Sequence, residues 1–274
     1  MPVVGGAAEV ERIQLKPPMS ERFRFSARDF PYWLVAIIGI LAWMGYLILS
    51  DDRYRVAWDR IIPGIGTTIS ATFFGFVFAL VIGLLAGVGR ISRNVVARNV
   101  AITYIEFIRG VPILVLIFTV AFVAVPQLSS ALGFDNSSVS PFMRATSALA
   151  IIYGAYLAEV FRAGIESVDK GQTEAGRSLG LSHGQTMRKI VLPQAVRNMT
   201  PAIGNDLIAM LKDSSLLSVL GVRELTQEGR LYASSSFEFR PTYLVLTFIY
   251  LTMTLILSLL LRWYRSRLGL DESR

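Results

Sequence analysis

The sequence predicts an all-α fold, a polytopic membrane helical bundle of about six transmembrane helices. Three observations carry this. Hydrophobic residues make up 53% of the 274, with a mean hydropathy of +0.51, too apolar for one soluble domain of this length. Apolar runs of roughly 20 residues, the length that crosses a bilayer, recur along the chain. Lys and Arg crowd into alternate connecting segments. The chain has no cysteine, which excludes a disulfide framework and a thiolate metal site. Its formal net charge of +7 suits cationic loops near anionic lipid and does not argue for nucleic acid.

Residues 1–29 are polar, contain Pro17-Pro18 and carry Arg12, Lys16, Arg22, Arg24 and Arg28, the pattern of a disordered cytosolic tail. The run 30–50 is too long and starts too late for a signal peptide, and it ends in LILSDD instead of a small-residue cleavage site, so it reads as a first span. The second span, Ile65 to Gly89, follows Pro63 and holds no charge. Its Gly75, Ala79, Gly83 and Gly87 recur every four residues, placing small side chains on one face where another backbone can come close. Glycine is common in membrane helices, so an incidental origin is the alternative. The third span, Ala101 to Val125, contains Glu106, Arg109, Gly110 and Pro112. Spacing predicts a Glu106–Arg109 pair on a helix kinked at Pro112, the alternative being that Arg109 faces a transport path and meets a carboxylate.

The loop from Pro126 to Ser140 holds no Lys or Arg, which suits the outside. The fourth span, Pro141 to Ala163, repeats the small-residue spacing at Ala150, Gly154 and Ala158 and ends with Glu159 and Arg162 at pairing distance. The fifth, Val196 to Leu220, is polar; the sixth, Thr242 to Leu261, is cleanly apolar. With both ends inside, 18 of the 27 Lys and Arg lie on the cytosolic side, eight outside, and Arg109 within a span. Arg53, Arg55 and Arg60 in the first outer loop are then an awkward cluster for the positive-inside rule.

Between spans four and five lies Asp169 to Pro193, DKGQTEAGRSLGLSHGQTMRKIVLP, which this orientation makes cytosolic. Gly171, Gly176, Gly180 and Gly184 punctuate it, and Asp169 with Gln172 and Ser182 with Gln185 have capping-box spacing, so it reads as two short helices joined at Gly180. Either it is a handle for a soluble partner or it is an ordinary loop. No soluble catalytic machinery accompanies it. None of the four lysines closes a GxxxxGK[ST] phosphate loop, and His183, the only histidine, excludes HExxH and His-rich metal sites.

Glu174-Ala175-Gly176, then Gly180-Leu181, then Ile190-x-Leu192-Pro193 resemble the EAA signature of permeases of ATP-binding cassette (ABC) importers, with matching spacing and with Gly176 in place of the usual second alanine. The flanking YLAEVFRAGIESVDKGQTEAGRSLGLS, LKDSSLLSVLG and IRGVP are similar to the polar amino acid branch, which usually has Thr where this chain has Val111. The resemblance covers about Ile61 to the C-terminus, leaving the tail and the 30–50 helix as an extra N-terminal element before a type I permease-like core at 61–264 and a cytosolic C-terminal tail at 265–274.

The resemblance implies a multi-pass protein of the bacterial cytoplasmic (inner) membrane, with both termini cytosolic, that is not itself an enzyme. Its hairpin would be a coupling helix seated in a separate ATP-binding subunit, with Ala175 and Gly176 allowing close approach, Glu174 offering a carboxylate, Gly180 turning the chain, and Leu192-Pro193 restarting the next helix. This chain would bind no cofactor; ATP and Mg would belong to the partner ATPase. The further expected partners are a second permease subunit, identical or a sister chain, a soluble substrate-binding protein and the lipid bilayer. In the fifth span, Lys212 could meet the carboxylate of an amino acid and Asp206 or Asp213 its ammonium, with Ser214 and Ser215 supplying hydrogen bonds and Asn205 also on the candidate pathway. The competing reading has Lys212 and the aspartates neutralising one another. The alternatives are an ABC permease for another small amine or amino-acid-like solute and an ion-coupled secondary transporter, although no internal repeat is visible; an intramembrane enzyme is disfavoured by the single histidine and the absence of a metal motif.

Overall fold

The computed structural model describes residues 32–135 and 138–267. The expected 1–29 tail, and the C-terminal tail from 268 on, lie outside the described residues. Twelve α-helices run through the described chain: α1 (Tyr32–Ser50), α2 (Asp52–Ile61), α3 (Gly64–Arg90), α4 (Val95–Gly110), α5 (Ile113–Thr119), α6 (Val125–Ala131), α7 (Pro141–Glu166), α8 (Lys170–Ser178), α9 (His183–Thr186), α10 (Leu192–Asp213), α11 (Leu225–Ser236) and α12 (Phe239–Arg267). Among the described residues, five helical stretches are long and apolar enough to cross a membrane: Tyr32–Ser50, Gly64–Arg90, Ile113–Ala131, Pro141–Glu166 and Phe239–Arg267. The expected fifth span, Val196 to Leu220, exists as α10 followed by the 3-10 segment Ser214–Leu220, and its polar residues keep it out of that group. The chain divides into two compact units, Met1–Ala42, whose described part is the first half of α1, and Trp43–Arg274.

Within the second unit, α3 and α7 form the central pair. The small residues on both helices face each other, as the four-residue spacing predicts. A Cβ placed on Gly83 would stand 2.7 Å from Leu157 Cβ and 3.1 Å from the Gly154 carbonyl oxygen, and one on Gly154 would stand 2.6 Å from Ile82 Cγ2. Lipid offers no hydrophobic drive for helix association, so this close approach supplies it through dispersion contacts. Around the pair, Leu116 and Ile117 of α5 and Met199 and Met210 of α10 complete one buried core. A second core joins Ile48, Tyr54, Ala57 and Ile61 to Leu225, Val245, Leu246 and Ile249, and so ties the end of α1 and all of α2 to α11 and α12.

Three expectations need correction. The third span is not one kinked helix over 101–125. Val111 is extended (φ −114°, ψ 139°), as a residue before proline is driven to be, so α4 ends at Gly110 and a new apolar helix starts at Ile113. That helix runs through a π turn, Val120–Ala124, to Ala131, taking up the first part of the expected outer loop. Next, Arg53, Arg55 and Arg60 lie not in a loop but on α2, a short amphipathic helix; Arg53 pairs with Asp51 at 3.0 Å and Arg55 with Asp52 at 3.5 Å. Last, Leu192-Pro193 opens α10 as expected, but no break precedes it. The chain winds without interruption from α9 through a π turn, Met187–Val191, into α10, because proline near a helix start removes no hydrogen bond that the π turn has not already rearranged.

Candidate functional site

Three polar groupings stand out, and the first is the hairpin. Asp169 caps α8 by accepting from the Gly171 N–H at 2.7 Å; the reciprocal contact expected of Gln172 is not made. Ser182 and Gln185 form the full capping box, at 3.3 Å and 2.8 Å. Between them the Leu181 N–H donates to the Gly176 carbonyl at 3.1 Å and the Gly180 N–H to that of Arg177 at 2.9 Å, with Gly180 at φ +80°. This is a Schellman closure, and it fixes the turn by backbone geometry alone. Arg177 also reaches His183 Nδ1 at 3.1 Å, bridging the two arms.

Gly176 is buried, and a Cβ on it would meet Ile190 Cδ1 at 2.7 Å and Thr186 Cγ2 at 3.0 Å. The glycine that departs from the family pattern therefore packs α8 against its own returning arm, through Ile190, instead of facing outward. Glu174 and Ala175 are exposed, as are Leu192 and Pro193, while Leu181 is half-buried. Leu179 is 81% exposed at the turn of an otherwise polar hairpin. Sequence reasoning passed it over, although a leucine just before the closing glycine in a polar segment was the available signal.

The second grouping joins α3, α4 and α7. Glu159, with a side chain only 17% exposed, contacts Arg90, reaches Arg109 at 3.5 Å and reaches Arg162 at 2.8 Å. Arg90 also meets Glu106 at 3.6 Å, and Arg162 meets Glu166. The expected Glu106–Arg109 pair is thus replaced by a network in which Arg109 serves Glu159 on a neighbouring helix. The expected Glu159–Arg162 pair is present.

The third lies along α10. Asp213 Oδ2 accepts from the Tyr153 hydroxyl of α7 at 2.7 Å. Asp206, seven residues earlier and so on the same helix face, is within electrostatic range of Tyr153, and its buried Oδ2 has no hydrogen-bond partner. The other predicted residues do not converge on this point. Ser214 is buried with its hydroxyl spent on the Leu211 carbonyl at 2.7 Å, Ser215 is half-buried, and Asn205 lines a cavity on the α12 side. Lys212 is exposed, and among the described residues no ion pair within 4.0 Å reaches it, so it does not neutralise the aspartates. Tyr153 was missed because its role depends on a contact between helices; its hydroxyl inside a small-residue span was the only local sign.

Long apolar helices packed through small-residue stripes, polar side chains held between them, and one stiff capped hairpin define a polytopic helical membrane protein. Residues 79–270 match the family described as “Binding-protein-dependent transport system inner membrane component”, and the chain belongs to that family, as a permease of the ABC importer type. It is 38% identical over 218 residues to the glutamine transport system permease protein GlnP of Escherichia coli (strain K12), covering 78% of this chain and 97% of that one. It is 36% identical over 207 residues to the L-cystine transport system permease protein TcyL of Bacillus subtilis (strain 168), covering 76% and 86%. Its fold matches the crystal structure of an amino acid ABC transporter with histidines at a TM-score of 0.70 and 36% identity, over 80% of this chain and 98% of that one.

Proposed function

We propose that this chain is the transmembrane subunit of an ATP-driven importer of polar amino acids, working by alternating access, with both termini and the 169–193 hairpin in the cytosol. One observation carries the reading: the hairpin is closed on itself by caps and a Schellman turn, yet presents Glu174, Ala175 and Leu179 outward. A helix held this firmly transmits force, and its outward groups fit a socket on a separate ATPase that holds ATP and Mg. The names of the glutamine and cystine relatives support the substrate class.

In the proposed cycle, two permease subunits enclose the pathway and a soluble binding protein delivers solute to the outer mouth. Closure of two ATPase subunits pushes the hairpins, and the push enters α10 directly because the chain is continuous from α9 onward. Asp206 and Asp213 offer negative charge to the ammonium of the solute, and exposed Lys212 is available to its carboxylate.

The test is ATPase stimulation of the reconstituted complex by a panel of amino acids, each presented with the binding protein. Polar amino acids are expected to stimulate. Glu174→Arg or Leu179→Asp is expected to abolish stimulation while leaving the permease folded. Solute counterflow by this chain alone, or intact stimulation in Glu174→Arg, would overturn the reading.

A further inference from the structure

Opposite the α7 face, α10 and α12 enclose a cavity of about 370 Å³ that none of the groupings above uses. One part of its wall is apolar, through Phe76, Leu207 and Leu261. The other part is polar, with Asn205, Tyr264, Arg262 and Arg265, and no acidic residue lines it. Both arginines lack an ion pair within 4.0 Å among the described residues, and the Nε of Arg265 is buried without a hydrogen-bond partner. Arg262 is exposed and Arg265 half-buried, and with no carboxylate in the wall their positive charge is uncompensated within the cavity, which suits an acceptor that carries negative charge.

Position narrows the ligand. α12 spans 29 residues, about 43 Å at 1.5 Å per residue, longer than a hydrocarbon core of about 30 Å. Its apolar stretch ends at Leu261, and Arg262, Trp263, Tyr264, Arg265 and Arg267 follow, the aromatic and basic mixture of a membrane interface. The basic end of the cavity therefore sits at headgroup depth, while Phe76, midway along α3, carries the apolar wall toward mid-membrane.

We propose that this cavity binds the phosphate of an anionic phospholipid headgroup, with Arg262 and Arg265 on the phosphate and the apolar wall against the start of the acyl chains. Basic pockets between membrane helices recognise such lipids by this combination of charge and apolar surface. Arg267 lies outside the cavity, over the Trp263 ring at 5.5 Å, and serves as the internal control.

The experiment follows thermal unfolding of the purified full chain in neutral detergent with short-chain phosphatidylglycerol, short-chain phosphatidylcholine or inorganic phosphate. Phosphatidylglycerol is expected to raise the midpoint saturably while the other two do not. Its apparent affinity is expected to fall about thirtyfold in R262Q/R265Q, to stay within a few fold in R262K/R265K, and to be unchanged in R267Q. The lysine pair separates loss of charge from loss of fold. Equal protection by phosphatidylcholine, an unaltered response in R262Q/R265Q, or protection by inorganic phosphate as strong as by the lipid overturns the proposal. So does efficient cross-linking of Asn205→Cys between two copies in the presence of phosphatidylglycerol, since a second copy would then cover the cavity.

Discussion

Gly64 and Gly66 stand two positions apart at the start of α3, and their surroundings could hardly differ more. A Cβ on Gly64 would lie 2.6 Å from the Leu225 backbone nitrogen and 2.7 Å from the Glu224 carbonyl carbon, whereas one on Gly66 would meet nothing within 4 Å. Backbone atoms cannot rotate away as a side chain can, so Gly64→Ala must separate α3 from the start of α11. The expected cost is about 3 kcal/mol for the overpacked site, while Gly66→Ala should stay within about 0.5 kcal/mol. Thermal unfolding of the two variants in detergent tests this, and equal midpoints would contradict the close approach. Nothing local in the sequence distinguishes these two glycines, because the contact spans some 160 positions of chain. Gly180 is the contrasting case. Its left-handed φ could be anticipated from its place between two caps, since a helix that ends and turns sharply needs a residue without a Cβ there.

At the level of elements, α11 shows how one buried carboxylate can organise a joint. Glu224 is fully buried, caps α11 by accepting from the Thr226 and Gln227 N–H groups at 2.9 and 2.8 Å, and accepts the Tyr250 hydroxyl of α12 at 2.8 Å. The Leu225 N–H beside it donates to Thr68 of α3 at 3.2 Å, so three helices meet at one cap. Burial raises the Glu224 pKa above the ordinary glutamate value, against the opposing pull of those hydrogen bonds. The sign follows from linkage: a carboxyl that holds its proton more tightly in the folded state contributes stability that is complete below its unfolded pKa and lost as pH rises through its folded one. The wild type should therefore lose stability relative to Glu224→Gln as pH rises from about 4.5 toward neutrality. Unfolding midpoints at both pH values check it, and parallel curves for the two proteins would refute it. The sequence reading anticipated neither α11 nor α2, since both are short and amphipathic and draw their stability from the second core, not from an apolar run long enough to notice.

For the molecule as a whole, what could be read in advance was whatever composition and local chemistry dictate: the apolar spans, the small-residue faces of α3 and α7, the Ser182 capping box and the turn at Gly180. What escaped depends on contacts between helices, as with Tyr153 on Asp213 or Arg109 on Glu159 instead of Glu106. Pro112 lay between these cases. Its disruption of the helix was foreseeable, but not that the span would shift to Ile113–Ala131 while α4 stayed a separate helix. Orientation also belongs to this scale, because it rests on the sum of charges and not on any one residue. The chain contains no cysteine, so each introduced one is a unique reporter. Ser178→Cys on the hairpin and Arg55→Cys on α2 are both at exposed positions. If both termini are cytosolic, a membrane-impermeant thiol reagent applied to intact spheroplasts should label the cysteine at 55 and leave the one at 178 untouched until the membrane is opened. The basic residues favour this arrangement by 18 to eight, with Arg53, Arg55 and Arg60 on α2 counting against it. Labelling at 178 but not at 55 would invert the topology. It would put the hairpin beyond the reach of any cytosolic ATPase and end the coupling reading, whatever its sequence resembles.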